Sequence, residues 1–213
     1  MRRDLLTSVL ALVVLTVVLG LGYPLLTTAV SQLAFPDQAN GELVKVAGKV
    51  VGSKRIGQSF ADPVIGKDGK PELDKNGNPV TKPDPRYFQG RPSATTPPAN
   101  AAASTFSNLG PNNVATKAAI DANIQGYLAL ERPYVPGLSP ATVPVDAANS
   151  SASGLDPDIS LANADLQAHR VAAVRHLALA AVRRLIAAST DARSLGILGE
   201  PGVNVLELNL ALD

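Results

Sequence analysis

Hydrophobic residues are concentrated at the beginning of the chain, where apolar and small uncharged side chains follow one another from Leu5 to Leu26. An α-helix rises about 1.5 Å per residue, so this run extends over roughly 33 Å, enough to cross the hydrocarbon core of a bilayer. A core helix of a soluble protein would need a polar face or a large surrounding core. The pattern therefore predicts a transmembrane helix, with residues 1–35 forming an N-terminal tail and membrane anchor.

An export signal that is removed is the alternative for this run. Such signals have an apolar region of about 7 to 15 residues followed by a small-x-small cleavage site. The run here is longer, and its only candidate site, Thr27-Thr28-Ala29, is weak, so we expect a retained anchor. Arg2 and Arg3 precede it and indicate a cytoplasmic N-terminus. Basic residues also follow it, but the charge rule weakens for long translocated domains. These are Lys45, Lys49, Lys54 and Arg55.

Residues 36–213 show short alternating and helical patterns that predict a single extracytoplasmic α+β domain after the transmembrane helix. Side chains typical of strands, interrupted by glycines, predict short strands early in this region. They are Leu43, Val44, Val46, Val50, Val51 and Ile56. Residues 61–88 are a polar insertion with tight turns expected at Asp68-Gly69 and Asn76-Gly77. A loop rich in Pro, Thr, Ala and Ser continues to Ser107.

Two helices are expected in the second half, from Ala115 to Leu130 and from Asp158 to Thr190. Ser160 is the expected N-cap of the second helix, and a bend is expected near His176. Its core stripe is predicted to hold Leu166, Val171, Val174, Ala178, Val182 and Leu185, with the arginines elsewhere. Val143 and Val145 suggest a short strand, and alternation from Val203 to Leu212 predicts a terminal strand with a leucine-rich face.

Composition narrows the class of protein further. Lys and Arg number 19 against 18 for Asp and Glu, a net charge of +1, so no basic surface for nucleic acid is implied. The chain has no cysteine, which excludes disulfides and thiolate metal sites but leaves the compartment open.

No motif in the sequence carries chemistry, and we predict no catalytic, cofactor-binding or metal-binding residue. Asp74, Asn76 and Asn78 lack the glycine and glutamate spacing of a calcium loop, and His169 and His176 lie two helical turns apart, too far for one metal. Asp156, Asp158 and Asp165 fit a helix start better than a carboxylate pair. The stretch GSKRIGQSF lacks a phosphate-loop ending, and no nucleophile elbow supports an anchored hydrolase.

A resemblance to a known family adds to these predictions. Its segments occur in order from Gly22 to Asp213 and read GYPLLTTAVSQLAFPDQANGELV, GSKRIGQSF, YFQGRPSA, SNLGPNN, SGLDPDIS and RSLGILGEPGVNVLELNLALD. Together they closely resemble the C subunit of the Kdp-type potassium-transporting P-type ATPase of bacteria.

The resemblance implies a single-pass, non-catalytic accessory subunit in the bacterial inner membrane, needed for assembly and activity of a high-affinity potassium uptake complex. Its implied partners are an ion-selecting, channel-like subunit and a catalytic P-type ATPase subunit, besides membrane lipid. ATP and Mg would be used by the ATPase subunit, with no cofactor in this chain. An anchored extracytoplasmic scaffolding or binding protein without a pump partner is the alternative.

Two departures from the family pattern stand out. Asp158 occupies a position where the family often has histidine, so a histidine-dependent role there would not transfer. Residues 67–83 are also longer and more polar than the resemblance leads us to expect, and a tolerated surface insertion is the simplest interpretation.

Overall fold

The computed structural model describes residues 2–75 and 77–213, and its contacts divide the chain into two compact units. The first unit ends at Val51, and the second comprises Gly52–Asp213.

A helix from Arg2 to Ala34 dominates the first unit, and none of its most apolar 18-residue window is buried inside the chain. It is α-helical in α1 (Arg2–Leu15) and α2 (Tyr23–Ala34), with a π-helical segment (Thr16–Gly22) between them. In that segment the Tyr23 N–H donates to Val18 O, five residues back. Pro24 lies two residues after the π-helical segment, and its ring would crowd the carbonyl four residues earlier in a regular helix. The helix continues past Pro24, so it is longer than the predicted run.

A short helix and a hairpin follow the long helix. Helix α3 spans Pro36–Ala39, and strands β1 (Leu43–Val46) and β2 (Lys49–Ser53) pair with each other. Ala47 and Gly48 connect the strands with φ angles of 49° and 79°. Two positive φ angles are what a two-residue type I′ turn requires, and this turn matches the twist of the strands. The predicted short strands are therefore confirmed for Leu43 to Val51, while Ile56 lies outside them and forms only an isolated bridge with Ser53.

Residues 61–83 form a separate small sheet on the surface of the second unit. Strands β3 (Ala61–Pro63) and β4 (Thr81–Pro83) are antiparallel. Beyond them Val64, Glu72 and Val80 form a closed triangle, in which each backbone N–H donates to the carbonyl of another at 2.8 Å. The turn predicted at Asp68-Gly69 is confirmed by the Gly69 N–H donating to Gly66 O at 3.0 Å. Asn76, part of the second predicted turn and of the calcium alternative, lies outside the described residues.

Helices and one short sheet form the core of the second unit. The helices are α4 (Val114–Glu131), α5 (Val145–Ala148), α6 (Leu161–Arg175), α7 (Leu179–Ala188) and α8 (Val205–Leu212). The sheet is antiparallel in the order β5-β7-β6, with β5 at Asp158–Ile159, β6 at Thr190–Asp191 and β7 at Gly202–Asn204. Phe88, Val171, Val182, Val203 and Leu208 are among the fully buried side chains that pack together there. Helix α4 and the predicted mixed α+β character are confirmed.

The long second helix is divided as expected. Ser160 Oγ accepts from the Asn163 N–H at 3.1 Å and caps α6. His176 ends that helix in the left-handed conformation at φ 58°, and α7 begins three residues later. The Leu177 N–H donates to Ala172 O at 2.9 Å, which satisfies a terminal carbonyl of α6.

The predicted core stripe on this helix pair is partly wrong. Val171 and Val182 are buried, but Leu166, Val174 and Leu185 are half-buried and Ala178 is exposed. The most buried face of α6 instead includes three polar side chains: Asn163, Gln167 and Arg170. The prediction that the arginines lie elsewhere holds for Arg183 and Arg184, which are exposed, but was wrong for Arg170. Arg170 is buried because distant parts of the chain supply its hydrogen-bond partners.

The strand predicted at Val143 and Val145 is wrong, and the predicted terminal strand is confirmed only at Val203 and Asn204. A 3-10 turn (Pro140–Thr142) and helix α5 occupy the first region. At the C-terminus β7 ends at Asn204, whose side chain accepts from the Glu207 N–H at 3.1 Å and caps α8. An N-cap asparagine stops the strand and starts the helix, and the alternating pattern alone did not reveal this.

Candidate functional site

The candidate metal-binding and acid–base residues of the sequence are dispersed. His176 is exposed at the end of α6, while His169 lies earlier on that helix. Within residues 2–75 and 77–213, no group of three or more histidine and acidic side chains is placed to hold a metal ion.

Two of the three singled-out aspartates lie together and the third lies apart. Asp156 Oδ1 accepts from the Asp158 N–H at 3.1 Å, and Asp156 Oδ2 is 2.8 Å from Arg91 Nη1. Burial, followed by the neighbouring carboxylates of Asp156 and Asp191, raises the pKa of Asp158. Asp165 pairs with Arg183 at 2.6 Å, and that hydrogen bond lowers the pKa of Asp165. Asp156 thus stabilises the loop before β5, and Asp165 joins α6 to α7.

Asp146, which the sequence analysis did not single out, holds the start of α6. Its carboxylate accepts from the Ser160 N–H and from Ser160 Oγ, both at 2.8 Å, and from Asn163 Nδ2 at 3.0 Å. Burial acts to raise the pKa of Asp146, but these hydrogen bonds outweigh it and the pKa lies below its usual value. Because the residue precedes Ser160 by 14 positions, no local pattern pointed to it.

A fully buried ion pair between Arg170 of α6 and Glu131 of α4 lies at the centre of the domain. Arg170 Nε donates to Glu131 Oε1 at 2.9 Å, and both side chains have 0% exposure. Arg170 also donates to the carbonyls of Pro85 and Tyr87. Burial raises the pKa of Glu131, and the attraction of Arg170 opposes that shift. The pair therefore joins two helices to the segment around residues 85–87.

Neighbouring amide side chains extend this network. Gln167 Oε1 accepts from the Gln89 N–H at 2.7 Å, while Gln167 Nε2 donates to Gln89 O at 3.0 Å. Asn209 of α8 makes the same double contact with the backbone of Phe88, each bond at 2.9 Å. In this way side chains supply paired main-chain hydrogen bonds to Phe88 and Gln89 of the YFQGRPSA segment, although these residues belong to no strand. The available sequence signal was polar residues at helical spacing on α6, namely Asn163, Gln167 and Arg170.

A cavity of about 350 Å³ opens beside this network. Gln89, Asn163 and Gln167 line it on the side of the network, and Asn123 and Tyr127 line it from α4. Tyr127 donates its hydroxyl hydrogen to Asn163 Oδ1 at 3.0 Å, and burial raises the pKa of this tyrosine.

The candidate membrane segment is the other functional feature. Arg2–Ala34 is long and apolar enough to cross a bilayer and is the one such helix found among the residues that the structure describes. Many of its exposed side chains are large and aliphatic, for example Leu12 at 69% and Leu19 at 60% exposure. This arrangement fits a single membrane span.

Comparisons with known proteins agree over the whole chain. The family model KdpC, described as K+-transporting ATPase, c chain, matches residues 5–213. The potassium-transporting ATPase KdpC subunit of Sorangium cellulosum is 47% identical and aligns over 100% of this chain and 98% of its own length. The corresponding subunit of Methylococcus capsulatus is 48% identical over 97% of this chain and 95% of its own length. That of Mycobacterium bovis is 45% identical over 100% and 99%.

These matches confirm the resemblance stated from the sequence segments and give no support to an anchored scaffold without a pump partner. The matched residues include the apolar helix as well as the domain. The chain therefore belongs to the KdpC family, the c chain of the K+-transporting ATPase.

Proposed function

We propose that the chain is the non-catalytic accessory subunit of an ATP-driven potassium uptake complex, held in a bacterial cell membrane by one uncleaved helix. The observation that carries this proposal is the similarity to potassium-transporting ATPase subunits over the full length, helix and domain alike. A subunit without catalytic machinery acts by binding its partners and biasing their states. The partners we propose are the ion-selecting, channel-like subunit and the catalytic P-type ATPase subunit.

Exposed apolar side chains on the domain support binding to other subunits. Phe106 and Leu109 are 50% and 42% exposed, next to or within the SNLGPNN segment. In the loop between β6 and β7, Leu195 and Ile197 are 89% and 76% exposed. Both groups lie in or beside segments on which the family resemblance rests, and exposed apolar groups are typical of interaction surfaces.

The orientation we propose places the N-terminus in the cytoplasm and the domain 36–213 outside. Arg2 and Arg3 support it because positive residues near a first span favour the cytoplasmic side. An outer domain cannot reach cytoplasmic ATP. Any effect on nucleotide affinity must then arise through coupling to the ATPase subunit, and residues 36–213 hold no nucleotide site.

Omitting the chain tests the role directly. The other subunits would be expressed and purified with and without it, and potassium-stimulated ATP hydrolysis would be measured together with the subunit composition. We expect loss of assembly and of activity without the chain. Intact assembly with full activity would overturn the proposed role.

Reporters test the topology separately. An enzyme that is active only outside the cytoplasm, fused after Asp213, should be active, while a protein that fluoresces only in the cytosol should stay dark there. The opposite result, or a mature chain that begins beyond Ala29, would overturn the proposed anchor. A photoreactive ATP analogue should not label residues 36–213 in the correctly oriented complex.

A further inference from the structure

The hairpin of strands β1 and β2 begins at a fixed place beside the end of the long helix of the first unit. Asn40, in the turn before β1, donates from Nδ2 to Gln32 Oε1 at 3.0 Å and to Pro36 O at 2.7 Å. The Gln32 side chain makes a longer return contact of 3.4 Å with Asn40 Oδ1. Because Gln32 lies in the last turn of the helix, these bonds tie the turn to the helix end, just before the hairpin begins at Leu43.

The length of the helix places its end at the surface of a membrane that it crosses. The helix has 33 residues, which make it about 50 Å long. A bilayer with its headgroups is about 40 to 45 Å thick, and a usual tilt of about 20° shortens the projected length of a helix only slightly. With Arg2 and Arg3 at the opposite surface, the turn and the hairpin therefore begin at the level of the lipid headgroups.

The hairpin carries aliphatic side chains on both of its faces. Leu43, Val46, Val50 and Val51 are all exposed. Val50 and Val51 are consecutive in β2, so their side chains point to opposite faces. An antiparallel pair that is covered by water on one side normally has a polar face there, and a hairpin of two strands alone is marginally stable in water. These side chains therefore fit the boundary of an apolar medium better than bulk water.

Two lysines complete the surface of the hairpin. Lys45 and Lys49 are exposed, and neither forms an ion pair with another residue in the part of the chain that the structure describes. The hairpin itself contains no acidic residue, while Asp37 and Glu42 precede it. Ammonium groups among aliphatic side chains complement the phosphates of anionic phospholipids, because the aliphatic groups enter the interface while the long lysine side chains reach the headgroups.

We propose that the hairpin Leu43–Val51 binds the membrane surface beside the helix, with its valines in the interface and Lys45 and Lys49 on the phosphates of anionic phospholipids. This inference rests on the proposed membrane anchor, because the inserted helix is what brings the hairpin to a bilayer. Lipid is favoured over another subunit because the hairpin is tied to the end of the membrane helix. The contact is distinct from the exposed apolar groups near Phe106 and Leu195, which we assign to other subunits.

A single tryptophan tests this contact, because the chain has none of its own. The full chain with Val46→Trp would be reconstituted into vesicles of phosphatidylcholine, alone or mixed with phosphatidylglycerol, with and without lipids brominated in the upper acyl chain. We expect bromine to quench the fluorescence, since interfacial groups lie about 5 to 10 Å into the boundary between headgroups and acyl chains. Quenching should be stronger in the anionic vesicles. Val14→Trp, within the span, is the positive control, and free N-acetyltryptophanamide is the unquenched reference.

Lysine variants separate the contribution of charge from the affinity of tryptophan itself for interfaces. Lys45→Gln with Lys49→Gln, in the Val46→Trp chain, should lower the quenching in anionic vesicles to the level in phosphatidylcholine. Each lysine near an anionic surface contributes roughly fivefold in binding. Lys67→Gln with Lys70→Gln removes the same charge from exposed positions of the small surface sheet and should leave the quenching unchanged. Equal quenching in the two kinds of vesicle, or equal effects of the two lysine pairs, would overturn the proposal.

A photocrosslinking side chain at position 46, in the complete complex within membranes, identifies the neighbour by mass spectrometry. A crosslink to phospholipid supports the proposal, and a crosslink to another subunit or to a second copy overturns it. In that case the proposed anchor stands if Val14→Trp is quenched. Absence of quenching at Val14→Trp would overturn the proposed anchor, and this inference with it.

Discussion

The first helix and the domain interior distribute polarity in opposite ways. The helix Arg2–Ala34 exposes nearly all of its aliphatic side chains, and the domain buries Arg170, Glu131 and Gln167 at 1% exposure or less. The apolar side chains of the helix are stable in a hydrocarbon solvent, where its backbone groups are satisfied within the helix. Buried polar side chains of the domain are stable because other parts of the chain supply their hydrogen bonds. Whether a side chain is buried therefore depends on its hydrogen-bond partners and on the surrounding solvent, and its hydropathy alone does not determine this.

The largest effect is expected from placing charged residues in the first helix, which should prevent its insertion into the membrane. Val14→Arg combined with Val18→Arg places two cations near the middle of the span, at about 2.5 to 3.5 kcal/mol each on insertion scales. We expect most of the chain to be lost from alkali-washed membranes. The control pair Gln32→Arg and Leu33→Arg lies at the end of the helix, where arginine can reach the interface, and it should remain inserted. Equal insertion of both pairs would contradict a membrane span at 14–18.

Removing one half of the buried ion pair is the corresponding test of the domain. Arg170→Met leaves Glu131 buried without its cation, and we expect unfolding to become easier by about 3 to 5 kcal/mol in chemical denaturation of the full chain in detergent. Adding Glu131→Leu should restore much of that loss. Arg183→Met, which breaks the half-exposed pair with Asp165, should cost less than about 1 kcal/mol. Similar effects of the two arginine variants would show that the buried network adds no special stability.

A smaller effect is expected at the start of α6, where Asp146→Asn removes an acceptor that serves Ser160 and Asn163. We expect a loss of about 1 to 3 kcal/mol at neutral pH. The pKa of Asp146 is lowered in the folded state, so the unfolded chain takes up protons first on acidification and the contribution disappears as the pH falls below about 4. Thermal unfolding at pH 7 and pH 3 should therefore show a difference between variant and parent that shrinks in acid. Asp121→Asn, at an exposed pair with Lys117, provides the control and should change little at either pH.

The smallest effect is expected in the surface sheet. Replacing residues 64–80 with Asn-Gly would close β3 and β4 as a tight hairpin and remove mostly exposed polar residues. Loop length contributes slowly to stability, so we expect a change within about 1 kcal/mol and unchanged potassium-stimulated ATP hydrolysis of the complex. Loss of assembly would show that residues 64–80 contact a partner subunit.

Local patterns were sufficient where an element depends mainly on its own residues. The apolar run, the helix from Ala115 to Leu130, the Ser160 cap and the break near His176 could all be predicted, because caps and hydropathy act within a few residues. The terminal strand was predicted too long because the alternation from Val203 to Leu212 continues past Asn204, the residue that caps α8. The buried polar face of α6 was missed because its hydrogen-bond partners are distant in sequence. Glu131 and Pro85, two partners of Arg170, lie 39 and 85 residues away from it.

By itself, the sequence determined a membrane-length apolar helix, a following mixed α+β region and, through its segments, the family of the protein. Those properties depend on composition and on patterns of neighbouring residues, which are visible in the sequence. Only the tertiary structure decided which polar side chains are buried, how the YFQGRPSA segment is held without a strand, and that a cavity opens beside the buried network. These depend on hydrogen bonds between residues far apart in the chain, because a buried polar group becomes favourable only when folding brings its partner to it.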